Sequence, residues 1–130
     1  MTYSAPGTEI SSWADQPCTA SSKTLVREML TRIGDKWTIL VISTLSDGPL
    51  RFTHLLVRIP GISHRMLTRT LRSLERDGLV TRDSFPEVPP RVEYGLTDVG
   101  ATLIVPIRAL IDWVNVHEAD VERSRAFFDD

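Results

Sequence analysis

A mainly α-helical domain with one small antiparallel β wing is the fold class this sequence predicts, and three observations predict it. Apolar residues recur at helical spacing in 23–34, 53–59, 63–77 and the stretch beyond Thr97. Two runs rich in β-branched and aromatic residues, "LVTRDSF" (79–85) and "RVEYGLT" (91–97), stand close together with only "PEVPP" between them. Turn signals (Gly34, Gly48-Pro49, Pro60-Gly61, Asp77-Gly78) separate the helical stretches. At 130 residues the chain has length for one domain with a core and too little for two.

Each element has its own warrant. Residues 1–22, with Pro6, Gly7 and Pro17 and no apolar period, read as a flexible arm, and 23–130 as the folded domain. In "KTLVREMLTRIG" (23–34) Leu25, Met29 and Ile33 form one stripe, closed by Gly34. Asp35 caps the next helix, where Trp37, Ile39, Leu40, Val41, Ile42 and Leu45 cover most of the circumference and predict burial all round. A short extended piece at 50–52 follows, then Thr53 as N-cap of a two-turn helix. Pro60-Gly61 sets a turn, and Ser63 caps "HRMLTRTLRSLER", which stops at Asp77-Gly78. Three prolines in "PEVPP" exclude a two-residue hairpin and predict a stiff projecting loop. A last helix begins near Thr97, with Pro106 kinking it or starting a second segment. Two short helices joined by a glycine turn, followed by two strands, make a winged helix-turn-helix.

Bulk properties narrow the function. The longest apolar runs, such as "ILVI" (39–42), are far below the roughly 18 residues of a membrane span. The N-terminal residues lack the basic start and apolar stretch of a secretory signal. One cysteine, Cys18, excludes an internal disulfide framework and suits a reducing cytoplasm. There is no G-x-S-x-G, phosphate-binding glycine loop or H-E-x-x-H, and no metal-ligand spacing among Cys18, His54, His64 and His117. No catalytic residue, metal or cofactor is therefore assigned, and an enzyme is not expected.

Charge is uneven along the chain. Residues 51–97 hold eight arginines against five acids, while 98–130 hold three arginines against seven acids. Within 63–77, Arg65, Arg69, Arg72 and Arg76 fall inside roughly 60° of one another at 100° per residue, opposite Leu67, Leu71 and Leu74. Such a helix docks by its leucines and presents its arginines, and in a helix-turn-helix the second helix enters the DNA major groove. Ser63, His64, Arg65, Thr68 and Arg69, at its N-terminal end, are candidates for base edges and nearby phosphates. Arg72 and Arg76 are assigned to the backbone, and Arg82 and Arg91 on the wing to phosphates of the neighbouring minor groove. A winged-helix module that binds protein instead of DNA is the competing reading.

Several linked motifs resemble one family. G-x-K-W at 34–37 (with Asp35 at x), D-G-P-x-R-F at 47–52, P-G-I-S at 60–63, L-x-x-L-E-x-x-G-L-V at 71–80 and P-P-R-V-E-Y-x-L-T at 89–97 are similar to those of the HxlR-type winged-helix transcriptional regulators of bacteria. The resemblance implies a homodimer, more often a repressor, that reads a roughly palindromic double-stranded operator near its own or a neighbouring gene. It also implies dimer contacts from the first and last helices. Here these would be Leu25 and Met29 with Leu103, Ile107, Leu110, Ile111, Trp113 and Val114, an apolar set larger than a small domain leaves in water. The alternative is that this surface folds back on its own domain.

Some proteins of this type sense oxidants or electrophiles through a cysteine ahead of the first helix, which assigns Cys18 a tentative redox role. Two departures weigh against it: Thr19, not proline, follows Cys18, and its spacing to Trp37 is longer by about a helical turn. A thiol without regulatory role is the other reading. A small-molecule effector between the wing domain and the dimer helices is neither supported nor dismissed by the sequence.

Overall fold

The computed structural model describes residues 20–130, with side chains from Lys23 onward. Residues 1–19 of the expected arm, Cys18 among them, lie outside these residues, while 20–22 already belong to the first helix and not to the arm. The described elements run α1 (Ala20–Ile33), α2 (Lys36–Leu45), β1 (Leu50–Arg51), α3 (Phe52–Arg58), α4 (His64–Arg76), β2 (Val80–Phe85), β3 (Arg91–Leu96), α5 (Asp98–Ala101) and α6 (Ile104–Asp129). The chain divides into two compact units, residues 1–33 and 34–130. In the first, α1 is a fourteen-residue helix with Leu25 and Leu30 exposed and Met29 half-buried.

The second unit is a winged helix-turn-helix. Asp35 caps α2 by accepting from the backbone N–H groups of Trp37 and Thr38, at 2.8 and 3.3 Å. Val41, Ile42 and Leu45 of α2 join Leu55, Ile59, Leu67, Leu71, Leu74, Leu79 and Ile107 in one core. The expectation that α2 is buried all round does not hold. Leu40 is exposed, Ile39 and Trp37 are half-buried, and the Lys36 ammonium lies 4.5 Å over the Trp37 ring. Composition alone does not show where the neighbouring elements stop covering a helix.

Helix α3 also differs from expectation at its start. Arg51, not Thr53, holds the extended cap position, with no side-chain hydrogen bond, because β1 pairs through Arg51 and leads straight into the helix. The turn between α3 and α4 contains Gly61 at φ +84°, a left-handed conformation that costs glycine little. Ser63 then caps α4, its Oγ accepting from the Met66 N–H at 3.0 Å.

The sheet has the order β1-β3-β2, antiparallel throughout, with Leu50 opposite Tyr94 and Val80 opposite Leu96. Residues 86–90 form the loop between β2 and β3, as the prolines require. The sheet is locked to the following helix at one point. The Leu79 carbonyl accepts from the Thr97 N–H at 3.0 Å, and the Thr97 hydroxyl donates to the Gly78 carbonyl at 2.6 Å while accepting from the Gly100 N–H at 2.9 Å. A Cβ on Gly100 would overlap the Leu79 carbonyl oxygen, so only glycine fits there.

The last segment is two helices, α5 and α6, separated at Thr102–Leu103. Pro106 sits in the first turn of α6, where its missing N–H has no intrahelical acceptor to lose. By length and composition Asp98–Asp129 is long and apolar enough to cross a membrane, although Arg108 and Asp112 fall in the middle of it. Ile107 docks α6 on the core and is 2% exposed. It was expected in the dimer interface; burial inside its own protomer removes it from that surface.

Candidate nucleic-acid interface

Helix α4 carries the site because its two faces are sorted. Leu67, Leu71 and Leu74 are at most 1% exposed and pin the helix against the core. Burying three leucines supplies about 2 kcal/mol each, enough to fix the helix's rotation about its axis. That rotation places Arg65, Arg69, Arg72 and Arg76 in solvent. Among the described residues no carboxylate lies within ion-pair distance of any of the four. A row of unpaired guanidinium groups on a rigid helix is a preformed surface for a polyanion.

The N-terminal end of α4 is more structured than its sequence alone conveys. The His64 imidazole is exposed, yet its ring centroid lies 4.6 Å from that of Phe52, tilted by 55°. Phe52 in turn lies 6.5 Å from Tyr94 of β3. His64 is therefore held by a ring that also touches the wing. The Thr68 hydroxyl donates to the His64 carbonyl at 2.9 Å, which leaves its lone pairs as acceptors. Ser63 remains exposed, with its oxygen engaged in capping.

The two wing arginines part company. Arg82, in β2 opposite Tyr94, is exposed and among the described residues has no ion-pair partner. Arg91 is drawn inward: its guanidinium lies 3.3 Å from both Glu87 and Glu93 and 4.2 Å over the Phe85 ring. The phosphate role expected for Arg91 does not fit that geometry, since its charge is already compensated. Arg51 and Arg58, exposed at the two ends of α3, were not among the candidates and flank the same helix-turn-helix. The signal for them was the basic excess of 51–97 as a whole.

The residues expected at a dimer interface separate as well. Leu110, Ile111, Trp113 and Val114 are each at least 41% exposed, Leu103 is half-buried, and Leu25 of α1 is exposed. Val116, Val121, Phe127 and Phe128 extend the apolar surface of α6 toward its end. The Trp113 ring packs 4.8 Å from His117, whose Nδ1 lies 3.8 Å from Asp120. Among the described residues no cluster of His, Cys, Asp and Glu is arranged to hold a metal.

The family model of the HxlR-like helix-turn-helix matches residues 32–122, most of the chain. The chain belongs to that family. An HTH-type transcriptional regulator of Methanothermobacter thermautotrophicus is 50% identical over 99 residues, 76% of each chain. Among solved structures, YtfH from Salmonella typhimurium, described as a transcriptional regulator, superposes with a TM-score of 0.72 at 38% identity, covering 78% of this chain and 90% of that one. The redox regulator HypR in its reduced form gives a TM-score of 0.70 at 38% identity, covering 75% and 97%. The HxlR-like assignment confirms the motif-based resemblance, and the relatives are transcriptional regulators rather than enzymes.

Proposed function

We propose that this HxlR-like protein is a cytoplasmic homodimeric repressor that binds a roughly palindromic DNA operator. The observation that carries the reading is the unpaired arginine face of α4, held outward by leucines buried on the other side. Arg65 and Arg69, near the start of the helix, read base edges together with His64, and bidentate arginine–guanine pairing is the commonest such contact. Thr68 and Ser63 support phosphate contacts at the same end. Arg72, Arg76 and Arg82 neutralise phosphates, while Arg91 shapes the wing through Glu87, Glu93 and Phe85.

Two half-sites require two copies, and the exposed apolar face of α6 is the surface that joins them. Seating on a second copy accounts for this apolar helix better than a membrane does. Ile107 ties α6 to the core of its own protomer, and Arg108 and Asp112 would otherwise lie in hydrocarbon. Cys18 is the candidate for a redox response, supported by the likeness to HypR. With no second cysteine in the chain, its oxidation yields a bridge between subunits or a mixed disulfide with a small thiol.

Fluorescence anisotropy on the gene's own upstream DNA and on a scrambled duplex, across a salt series, tests the reading. The expected result is tighter binding to the upstream DNA and an affinity that falls steeply with salt. Salt-independent binding, or none to either duplex, would point to a protein-binding module or a distant operator. For the redox arm, diamide should release DNA from the wild type and not from Cys18→Ser; equal release from both removes Cys18.

A further inference from the structure

We propose that the cavity between α2 and α6 is a binding site for a small apolar monocarboxylate. The cavity has a volume of about 250 Å³ and is lined by Ile42, Ser43, Ser46, Ile104, Ile107, Arg108 and Ile111. Its floor is rigid: Ile42 and Ile107 are at most 2% exposed and belong to the core. Its polar lining residues are Ser43 of α2, Ser46 just after it, and the exposed Arg108 of α6. The Ser46 hydroxyl donates to the Ser43 carbonyl at 2.6 Å and so keeps its lone pairs as acceptors. Arg108 contributes a guanidinium that, among the described residues, has no carboxylate within ion-pair distance.

Apolar walls with one uncompensated guanidinium specify the ligand's chemistry. The planar fork of arginine matches a carboxylate with two parallel hydrogen bonds. One cation among isoleucines suits a single negative charge; a phosphate dianion would leave charge unpaired beside apolar walls. A volume at the low end for ligand pockets limits the occupant to roughly ten heavy atoms, the size of an aryl or branched aliphatic acid.

The cavity borders the surface assigned to dimerisation and shares Ile111 with it. At 100° per residue, Ile104, Ile107 and Arg108 centre on one side of α6, and the dimer residues Leu110, Trp113 and Val114 centre roughly 120° away. Helix α2 packs against both α4 and α6, so an occupant wedged beside Ile42 alters how α6 sits on the unit that carries the arginine face. In a dimer held by α6 this changes the separation of the two α4 helices, a consequence that rests on the function proposed above.

The site is tested without DNA, so failure of DNA binding leaves the readout intact. The full chain is titrated with phenylacetate and with its neutral isostere phenylacetamide, by saturation-transfer NMR and calorimetry. The wild type should bind phenylacetate about tenfold or more tightly than the amide, the range of a charge-assisted hydrogen bond. Arg108→Gln, at an exposed position, should erase that preference while keeping the amide's affinity. Ser43→Leu should fill the cavity and remove both ligands. Absence of binding by the wild type at millimolar phenylacetate, equal affinity for acid and amide, or an undiminished preference in Arg108→Gln would each overturn the proposal.

Discussion

Helices α4 and α6 are both amphipathic, and they resolve that property in opposite ways. Helix α4, thirteen residues long, buries its leucines in its own protomer and turns an unpaired arginine face to solvent. Helix α6, twenty-six residues long, buries Ile107 and leaves Leu110, Trp113, Val114 and Val116 each more than half exposed. One helix has satisfied its hydrophobic requirement and offers charge; the other has not and offers apolar surface. The two surfaces therefore suit different partners, which in the function proposed above are DNA for α4 and a second copy of the chain for α6.

The largest effect is expected where α4 is held in place. Leu71→Ala removes a fully packed side chain and should cost about 2–5 kcal/mol of stability, read as a lowered midpoint in urea unfolding. An unchanged midpoint would mean that α4 is not pinned by its leucines. Next, Leu110→Asp combined with Val114→Asp places charge in the middle of the α6 face. It should yield a folded monomer in sedimentation and weaken operator binding by about a hundredfold or more, because one half-site then acts alone. A double variant that remains dimeric would move the interface elsewhere.

Much of this division was legible in the sequence, for an identifiable reason. In α4 the leucine and arginine stripes, the Ser63 cap and the Asp77-Gly78 stop are all local, and local signals that agree leave one solution. The wing strands likewise begin and end within a residue of expectation, since Asp77-Gly78 marks the outer start, the prolines of 86–90 the inner ends and Thr97 the outer end. What the sequence did not reveal depends on which element covers another. Ile107 shares helical spacing with residues of the exposed face, and periodicity cannot say that α2 covers it. Arg91 looked like any wing arginine, and only the register that sets it opposite Phe85, with the loop bringing Glu87 close, shows that it is paired.

Smaller effects sharpen the comparison within the arginines themselves. Arg76→Ala should weaken binding to all duplexes alike and lower the salt slope by about one, as loss of a phosphate contact does. Its stability should hardly change, because the side chain is exposed and unpaired. Arg91→Ala should have the least effect on operator affinity, under about 1 kcal/mol, because its partly exposed ion pairs with Glu87 and Glu93 contribute little beyond wing shape. A loss for Arg91→Ala as large as that for Arg76→Ala would show that Arg91 leaves its carboxylates to bind phosphate.

The claim that the exposed face of α4 reads sequence is tested most directly by one ratio. The affinity for the upstream DNA divided by that for a scrambled duplex is measured for the wild type and for Arg69→Ala at one fixed salt concentration. Loss of a base-reading arginine should cost about 1–3 kcal/mol on the upstream DNA and far less on the scrambled one, so the ratio collapses. Equal weakening on both duplexes, with the ratio preserved, would contradict the account and reduce Arg69 to a phosphate contact.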